Sequence, residues 1–129
     1  MSGEGVNESV EFAVELMKSV DGVFIEATNK ITELFLKRIR IKEWNEELAL
    51  VMFKMNGELS VLGEEVNKMV AKAVLGDRYI DPLKAGEECK ESPRVVLPEE
   101  KIAFVRLGNG RCGLIYRDHH SGEIEYVEF

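Results

Sequence analysis

The residues most suited to chemistry form a small group near the C-terminus, where His119 and His120 follow Asp118 and Cys112 lies a few residues earlier. Imidazole, thiolate and carboxylate groups bind zinc, and histidine also titrates near neutral pH. Structural zinc sites usually combine two pairs of closely spaced ligands, whereas only one cysteine lies near this turn. We therefore expect a solvated polar turn without metal or cofactor, with His119 and His120 as weak metal candidates.

A second group consists of six glutamates in the middle of the chain: Glu43, Glu46, Glu47, Glu58, Glu64 and Glu65. Helical bundles that bind divalent metals direct such carboxylates inward from facing helices. Most of these glutamates fall outside the apolar helical stripe described below, which favours a solvated helix face. A metal-dependent hydrolase that uses these glutamates is retained as an alternative function.

Four cations lie within six residues and could contact phosphates: Lys37, Arg38, Arg40 and Lys42. A nucleic-acid-associated regulatory protein that uses this basic patch is a second alternative. It is not favoured, because residues 1–76 carry a net charge of 9 − 13 = −4 and residues 77–129 carry 8 − 11 = −3. The sequence also has no P-loop, GxGxxG, HExxH or GxSxG motif, so we assign no catalytic residue and expect a protein that is not an enzyme.

The strongest pattern in the chain is an apolar stripe that advances by alternate steps of three and four residues from Val10 to Ala73, interrupted only by Arg38 and Asn45. This spacing predicts helix, and the absence of proline before Pro82 agrees with it. Leu75-Gly76 is a typical helix end. We take ten members of the stripe as the predicted seam of a dimer or bundle: Met17, Phe24, Ile31, Leu34, Leu48, Met52, Met55, Leu59, Leu62 and Val66.

Further apolar residues flank the seam, among them Val23, Leu50, Val51, Phe53 and Val61. So broad an apolar face needs more than one neighbour, which favours a bundle over a thin coiled coil. We expect a helical hairpin with its turn near residues 40–43 that pairs with a second copy of the chain. The alternatives are several shorter helices, broken at Asp21-Gly22 or Asn56-Gly57, and one unbroken helix of residues 10–75.

The apolar period changes to two residues after Lys101. Asn109-Gly110 between two alternating runs predicts a β-hairpin with Val105 opposite Leu114, and a polar turn at residues 118–122 leads to a third strand. The predicted fold is therefore α+β: an N-terminal long antiparallel helical hairpin at 1–76, a linker at 77–100, and a C-terminal three-stranded antiparallel β-meander at 101–129.

The composition supports one soluble domain of 129 residues with a net charge of −7. No apolar run reaches the ~20 residues of a membrane span, and the first residues lack signal-peptide features, so we expect a cytoplasmic protein that does not bind membranes. The two cysteines, Cys89 and Cys112, are expected to be reduced thiols. The favoured function is a small protein–protein interaction or assembly protein, a homodimer or higher oligomer through its helices, with another protein as a further partner.

Overall fold

The structure is a computed structural model that describes residues 2–40, 46–89, 97 and 100–129. Two long helices come first, α1 (Ser2–Arg40) and α2 (Glu46–Leu75). They are followed by the strand β1 (Tyr79–Ile80), the short helix α3 (Ala85–Glu88), and the strands β2 (Lys101–Gly108), β3 (Arg111–Arg117) and β4 (Ile124–Glu128). The fold is α+β, as the sequence predicts.

The two helices form a hairpin. The side-chain ring of Phe24 in α1 lies 3.4 Å from the position that a Cβ atom on Gly63 of α2 would occupy. In one unbroken helix these residues would be about 58 Å apart at ~1.5 Å per residue, so that alternative is wrong. The helices also continue through Gly22 and Gly57, which excludes several shorter helices. The predicted turn overlaps residues 41–45, which lie outside the described residues.

Local turn signals are confirmed at two places. Helix α2 ends at Leu75, and Gly76 follows with a positive φ of 56°. At the tip of the β2–β3 hairpin, Asn109 and Gly110 have φ angles of 54° and 75°, the geometry that a two-residue turn of this hand requires. Backbone conformations that few residue types adopt cheaply are therefore read correctly from sequence.

The sheet has four antiparallel strands in the order β1-β2-β3-β4, one more than predicted. The additional strand is β1, whose Tyr79 and Ile80 pair with Val105 and Phe104 of β2. It lies within the segment 77–100, which the sequence suggests is a linker. Two residues are too few to show a period of two, which is why the pattern does not reveal this strand.

The register of the β2–β3 hairpin differs by one residue from the prediction. Val105 pairs with Gly113 and Phe104 pairs with Leu114, because an irregularity between Arg106 and Gly108 inserts an extra residue into β2. A shift of one residue transfers a side chain to the other face of the sheet. The expected pairing of Val105 with Leu114 on one apolar face is therefore wrong.

Contacts divide the chain into two units, which we name the sheet unit (Met1–Lys18 and Asn67–Phe129) and the helical unit (Ser19–Val66). The sheet unit has apolar clusters on both faces of its sheet. One cluster joins both helices to the sheet: Val10, Ala13, Met17, Ala71, Leu75, Ile102, Ala103, Val105, Ile115 and Ile124. The other cluster comprises Ile80, Ala85, Phe104, Cys112 and Leu114.

Cys89 and Cys112 form a disulfide, with their Cα atoms 5.8 Å apart. The expectation of two reduced thiols is therefore wrong for this structure. The 23-residue separation of the cysteines favours reduced thiols, but β3 returns antiparallel to β2 and brings Cys112 back beside the end of α3.

Candidate interaction surface on the helical unit

The predicted seam is distributed over three environments. Met17 is fully buried and belongs to the core of the sheet unit. Six members are half-buried along the helices: Phe24, Ile31, Leu48, Met52, Leu59 and Val66. The other three, Leu34, Met55 and Leu62, are 62%, 38% and 48% exposed. The inner part of the stripe thus packs within the chain, and its edge faces solvent.

The helical unit leaves all its described large apolar side chains at least partly exposed. Among its residues with described burial, only Gly63 is buried, and it carries no side chain. The ring of Phe24 lies against it at ordinary van der Waals distance, so the two helices approach closely at this point. No large side chain of this unit reaches the burial that Met17 or Leu114 has in the sheet unit.

Among the residues of the helical unit with described burial, ten large apolar side chains are exposed, between 38% and 68% of their surface. Successive residues of an α-helix are separated by about 100° around the axis. On that spacing, eight of the ten residues lie on the two flanks of their helix, beside the stripe that faces the other helix. Leu50 and Val61 lie on the side of α2 away from that stripe. The exposed residues therefore follow the helical period and are not scattered singly over the surface.

In an antiparallel hairpin, one flank of each helix contributes to the same broad side. This geometry places five residues on a first face: Val23, Leu34, Val51, Met55 and Leu62. The opposite side, or second face, has three: Ile25, Leu36 and Phe53. Leu50 and Val61 lie on the outer side of α2, away from α1. All of these residues are among the exposed apolar side chains.

Two exposed ion pairs lie on the described part of the helical unit. Lys30 and Glu26 form one at 3.4 Å, and Lys54 and Glu58 form another at 4.0 Å. Exposed pairs of this kind contribute only a few tenths of a kcal/mol, about 0.3–0.5. The charges keep the helices hydrated at their outer edges but do not cover the apolar faces.

The basic patch is only partly visible. Lys37 is exposed near the end of α1, and the structure describes Arg38 and Arg40 by their helical backbone alone. Lys42 lies outside the described residues. Use of this patch for phosphate contacts stays a prediction.

The histidine turn is organised by Asp118. Its Oδ1 atom accepts the backbone N–H of His120 at 2.7 Å and that of Ser121 at 3.1 Å. These hydrogen bonds are the main reason that the pKa of Asp118 is lowered. His119 Nδ1 lies 3.4 Å from Glu100 Oε1.

The candidate metal ligands do not converge. The disulfide to Cys89 occupies the sulfur of Cys112. In α2, the glutamates Glu46, Glu47, Glu58 and Glu65 are exposed, Glu64 is half-buried, and Glu43 is outside the described residues. Within the ranges that the structure describes, no three His, Cys, Asp or Glu residues form a group able to hold a metal ion. None of the described helices combines the length and apolar character that a membrane span requires.

Two residues of the second face, Ile25 and Leu36, are not among those that the sequence analysis marks as flanking the seam. Both lie eleven residues along from another apolar residue, Val14 and Ile25 respectively. A search at the eleven-residue spacing, which also relates Val23 to Leu34, would have found them.

Comparison with known proteins adds no assignment: no family model matches the chain, and no curated protein or solved structure matches it significantly.

Proposed function

We propose that this chain is a small assembly protein of the cytoplasm that forms a homodimer through its helical unit. The observation that carries the proposal is the pairing of two facts: ten large apolar side chains of this unit are exposed, and only Gly63 is buried among its residues with described burial. A helical pair with no fully buried large side chain leaves apolar surface in contact with water. A second helical pair against it would supply the missing core.

The magnitude of the gain favours association. Fully burying a large apolar side chain contributes about 1.5–3 kcal/mol, so covering five half-exposed side chains on each copy contributes on the order of 10 kcal/mol for the pair. Association costs roughly 4–15 kcal/mol in lost freedom of motion. At the lower end of that cost, a net gain of about 6 kcal/mol remains, which corresponds to a dissociation constant of tens of micromolar and a dimer that responds to dilution.

We assign the dimer contact to the first face. Three of its five residues, Leu34, Met55 and Leu62, belong to the predicted seam, and Met55 and Leu62 repeat at the heptad spacing of packed helices. Face-to-face packing of two hairpins gives a four-helix bundle, in which each helix of one copy contacts helices of the other. The second face stays available for a further copy or for another protein.

The test is the molar mass in solution, measured by light scattering after size exclusion over a range of loading concentrations. We expect twice the chain mass of 14.6 kDa, decreasing to one chain mass on dilution. Leu62→Glu, which places a charge on the first face, should shift the midpoint of dissociation to at least tenfold higher concentration, equivalent to about 1.4 kcal/mol.

Two matched variants locate the contact. Ser60→Glu introduces the same charge at an exposed position two residues away, on the other side of α2, and should leave the dimer intact. Val61→Glu places it on the outer side of α2, away from the first face, and should also leave the dimer intact. A monomeric wild type at all concentrations would refute the proposal, and loss of the dimer in Val61→Glu but not in Leu62→Glu would refute the choice of face.

A further inference from the structure

A thin segment covers one face of the sheet. This segment, Tyr79–Cys89, which we name the cover, begins with β1 and ends one residue after α3. Two of its side chains, Ile80 and Ala85, are buried against Phe104 and Leu114 of the sheet. Its outer side faces solvent, and Leu83 is 95% exposed.

The two ends of the cover are attached differently. The first end is paired with β2, where Tyr79 and Ile80 lie opposite Val105 and Phe104. The second end, Ala85–Cys89, has one small buried side chain, Ala85, and therefore little apolar contact with the sheet. Short helices of this length have no stability of their own. Attachment of the second end thus depends on the contacts made by its last two residues.

Those two residues make one covalent and one ionic contact. Cys89 is bonded to Cys112 of β3. Glu88 accepts hydrogen bonds from the Arg106 guanidinium, with Nε 3.0 Å from Oε2. Both side chains of this ion pair are close to half-exposed, so the pair alone is a weak attachment. The disulfide is the strong one.

Cleavage of the bond would uncover apolar surface. Phe104 is 2% exposed, and its ring packs edge-on against Phe129 with centroids 6.0 Å apart. Leu114 beside it is completely buried. Beyond the second end of the cover, an open cavity of about 300 Å³ already lies against Cys112 and Arg106. Displacement of Ala85 would extend this opening over Phe104 and Leu114.

The two cysteines differ in exposure. Cys112 is 2% exposed, whereas Cys89 is half-buried at the end of the cover. A thiolate must reach the sulfur that it attacks, along the line of the bond. Cys89 is therefore the accessible target.

We propose that Cys89 is a thiol-exchange site, and that cleavage of its bond to Cys112 releases the second end of the cover from the sheet. A thiolate of a small dithiol attacks Sγ of Cys89, the Cys89–Cys112 bond breaks, and the electron pair leaves on Sγ of Cys112, which takes a proton. The second thiol of the reductant then attacks the reductant's first sulfur, the bond from that sulfur to Cys89 breaks, and Sγ of Cys89 leaves as a thiolate that takes a proton. The net change transfers two electrons and two protons from the dithiol, which becomes a cyclic disulfide.

The inference is independent of the dimer, because every group in it belongs to the sheet unit. It also gives the disulfide a role that agrees with a cytoplasmic protein, where structural disulfides are rare and redox-responsive ones occur.

Hydrogen–deuterium exchange on the full chain, with and without dithiothreitol, tests the release. On reduction, the backbone N–H of Cys89, which donates to Ala85 O at 2.7 Å, should exchange about tenfold faster or more, and strands β3 and β4 should stay protected. The double variant Cys89→Ser/Cys112→Ser should show the same pattern without reductant. Glu88→Gln should increase the effect only in the reduced protein.

A separate experiment identifies which of the two sulfurs is attacked. The oxidised chain is exposed to limiting 2-mercaptoethanol, quenched with acid, alkylated and mapped by mass spectrometry. We expect the mixed disulfide on Cys89 about tenfold more often than on Cys112. Unchanged exchange at the cover after reduction, equal loss of protection throughout the sheet, or an adduct mainly on Cys112 would each overturn the proposal.

Discussion

Substitution of Gly113 by alanine should destabilise the sheet through one aromatic ring. Gly113 lies in β3, and the ring of Tyr126 from β4 occupies the place of its missing side chain, with Cε1 and Cζ 2.5 Å and 2.6 Å from where a Cβ atom would be. Real Cβ contacts are never so short, so the ring or the strand must move. Gly113→Ala therefore removes the packing of Tyr126.

The magnitude follows from the burial of that ring. Burying a large apolar side chain contributes about 1.5–3 kcal/mol, and alanine in a strand regains roughly 0.5–1 kcal/mol over glycine. We expect the free energy of unfolding to decrease by about 1–2 kcal/mol, which lowers Tm by roughly 3–8 °C for a chain of this size. Denaturant titration of wild type and variant at one protein concentration measures the change.

A second readout follows the tyrosine itself. Burial is the main reason that the pKa of Tyr126 is raised, and its hydroxyl also donates to Glu128 Oε1 at 3.2 Å. Displacement of the ring should move this pKa back towards 10.0, which a spectrophotometric titration detects when Tyr126→Phe serves as the reference. If Gly113→Ala lowers the free energy of unfolding by as much in a Tyr126→Ala background as in the wild type, the contact with the ring is not the cause and the reasoning fails.

Three further expectations concern pH and helix stability. Burial raises the pKa of Tyr79, Tyr116 and Tyr126, so their contribution to stability is complete below pH 10 and is lost as the pH rises above it. Tyr126→Phe should therefore flatten the alkaline slope of the unfolding free energy. An unchanged slope would contradict this. The lowered pKa of Asp118 has the opposite sign, so its contribution is lost as the pH decreases through 3.8 and below; Asp118→Asn should remove that part of the acid dependence in denaturant titrations. Gly57 is exposed within α2, and a Cβ atom there would meet nothing within 4 Å. Gly57→Ala should therefore raise the unfolding free energy by about 0.8–1 kcal/mol. A decrease measured by thermal unfolding would argue that a partner approaches this position.

Features that depend on a few neighbouring residues could be predicted from the sequence. The end of α2 at Gly76 and the turn at Asn109-Gly110 both follow from the cost of a positive φ, which is a property of the residue itself. The long helices follow from an apolar period that is sustained over many turns. In these cases no distant part of the chain is needed to select the conformation.

Features that depend on distant contacts could not be predicted. The extra residue in β2 between Arg106 and Gly108 carries no sequence signal, yet it changes which residues share a face. The strand β1 exists because β2 lies beside it, and the Cys89–Cys112 bond exists because the sheet brings the two residues together. For the candidate surface, the sequence predicts the apolar excess of the helices, but only the hairpin separates it into two faces.

The scarcity of buried side chains between Ser19 and Val66 has a consequence for the amount of protein in the cell. When a helical pair gains its core from a second copy, its stability increases with concentration, by mass action. Newly made chains at low abundance would then be the ones most exposed to proteases. A higher expression level would thus lengthen the lifetime of the protein, because it keeps the helical unit folded. The core of the sheet unit is covered within one chain and would not depend on concentration.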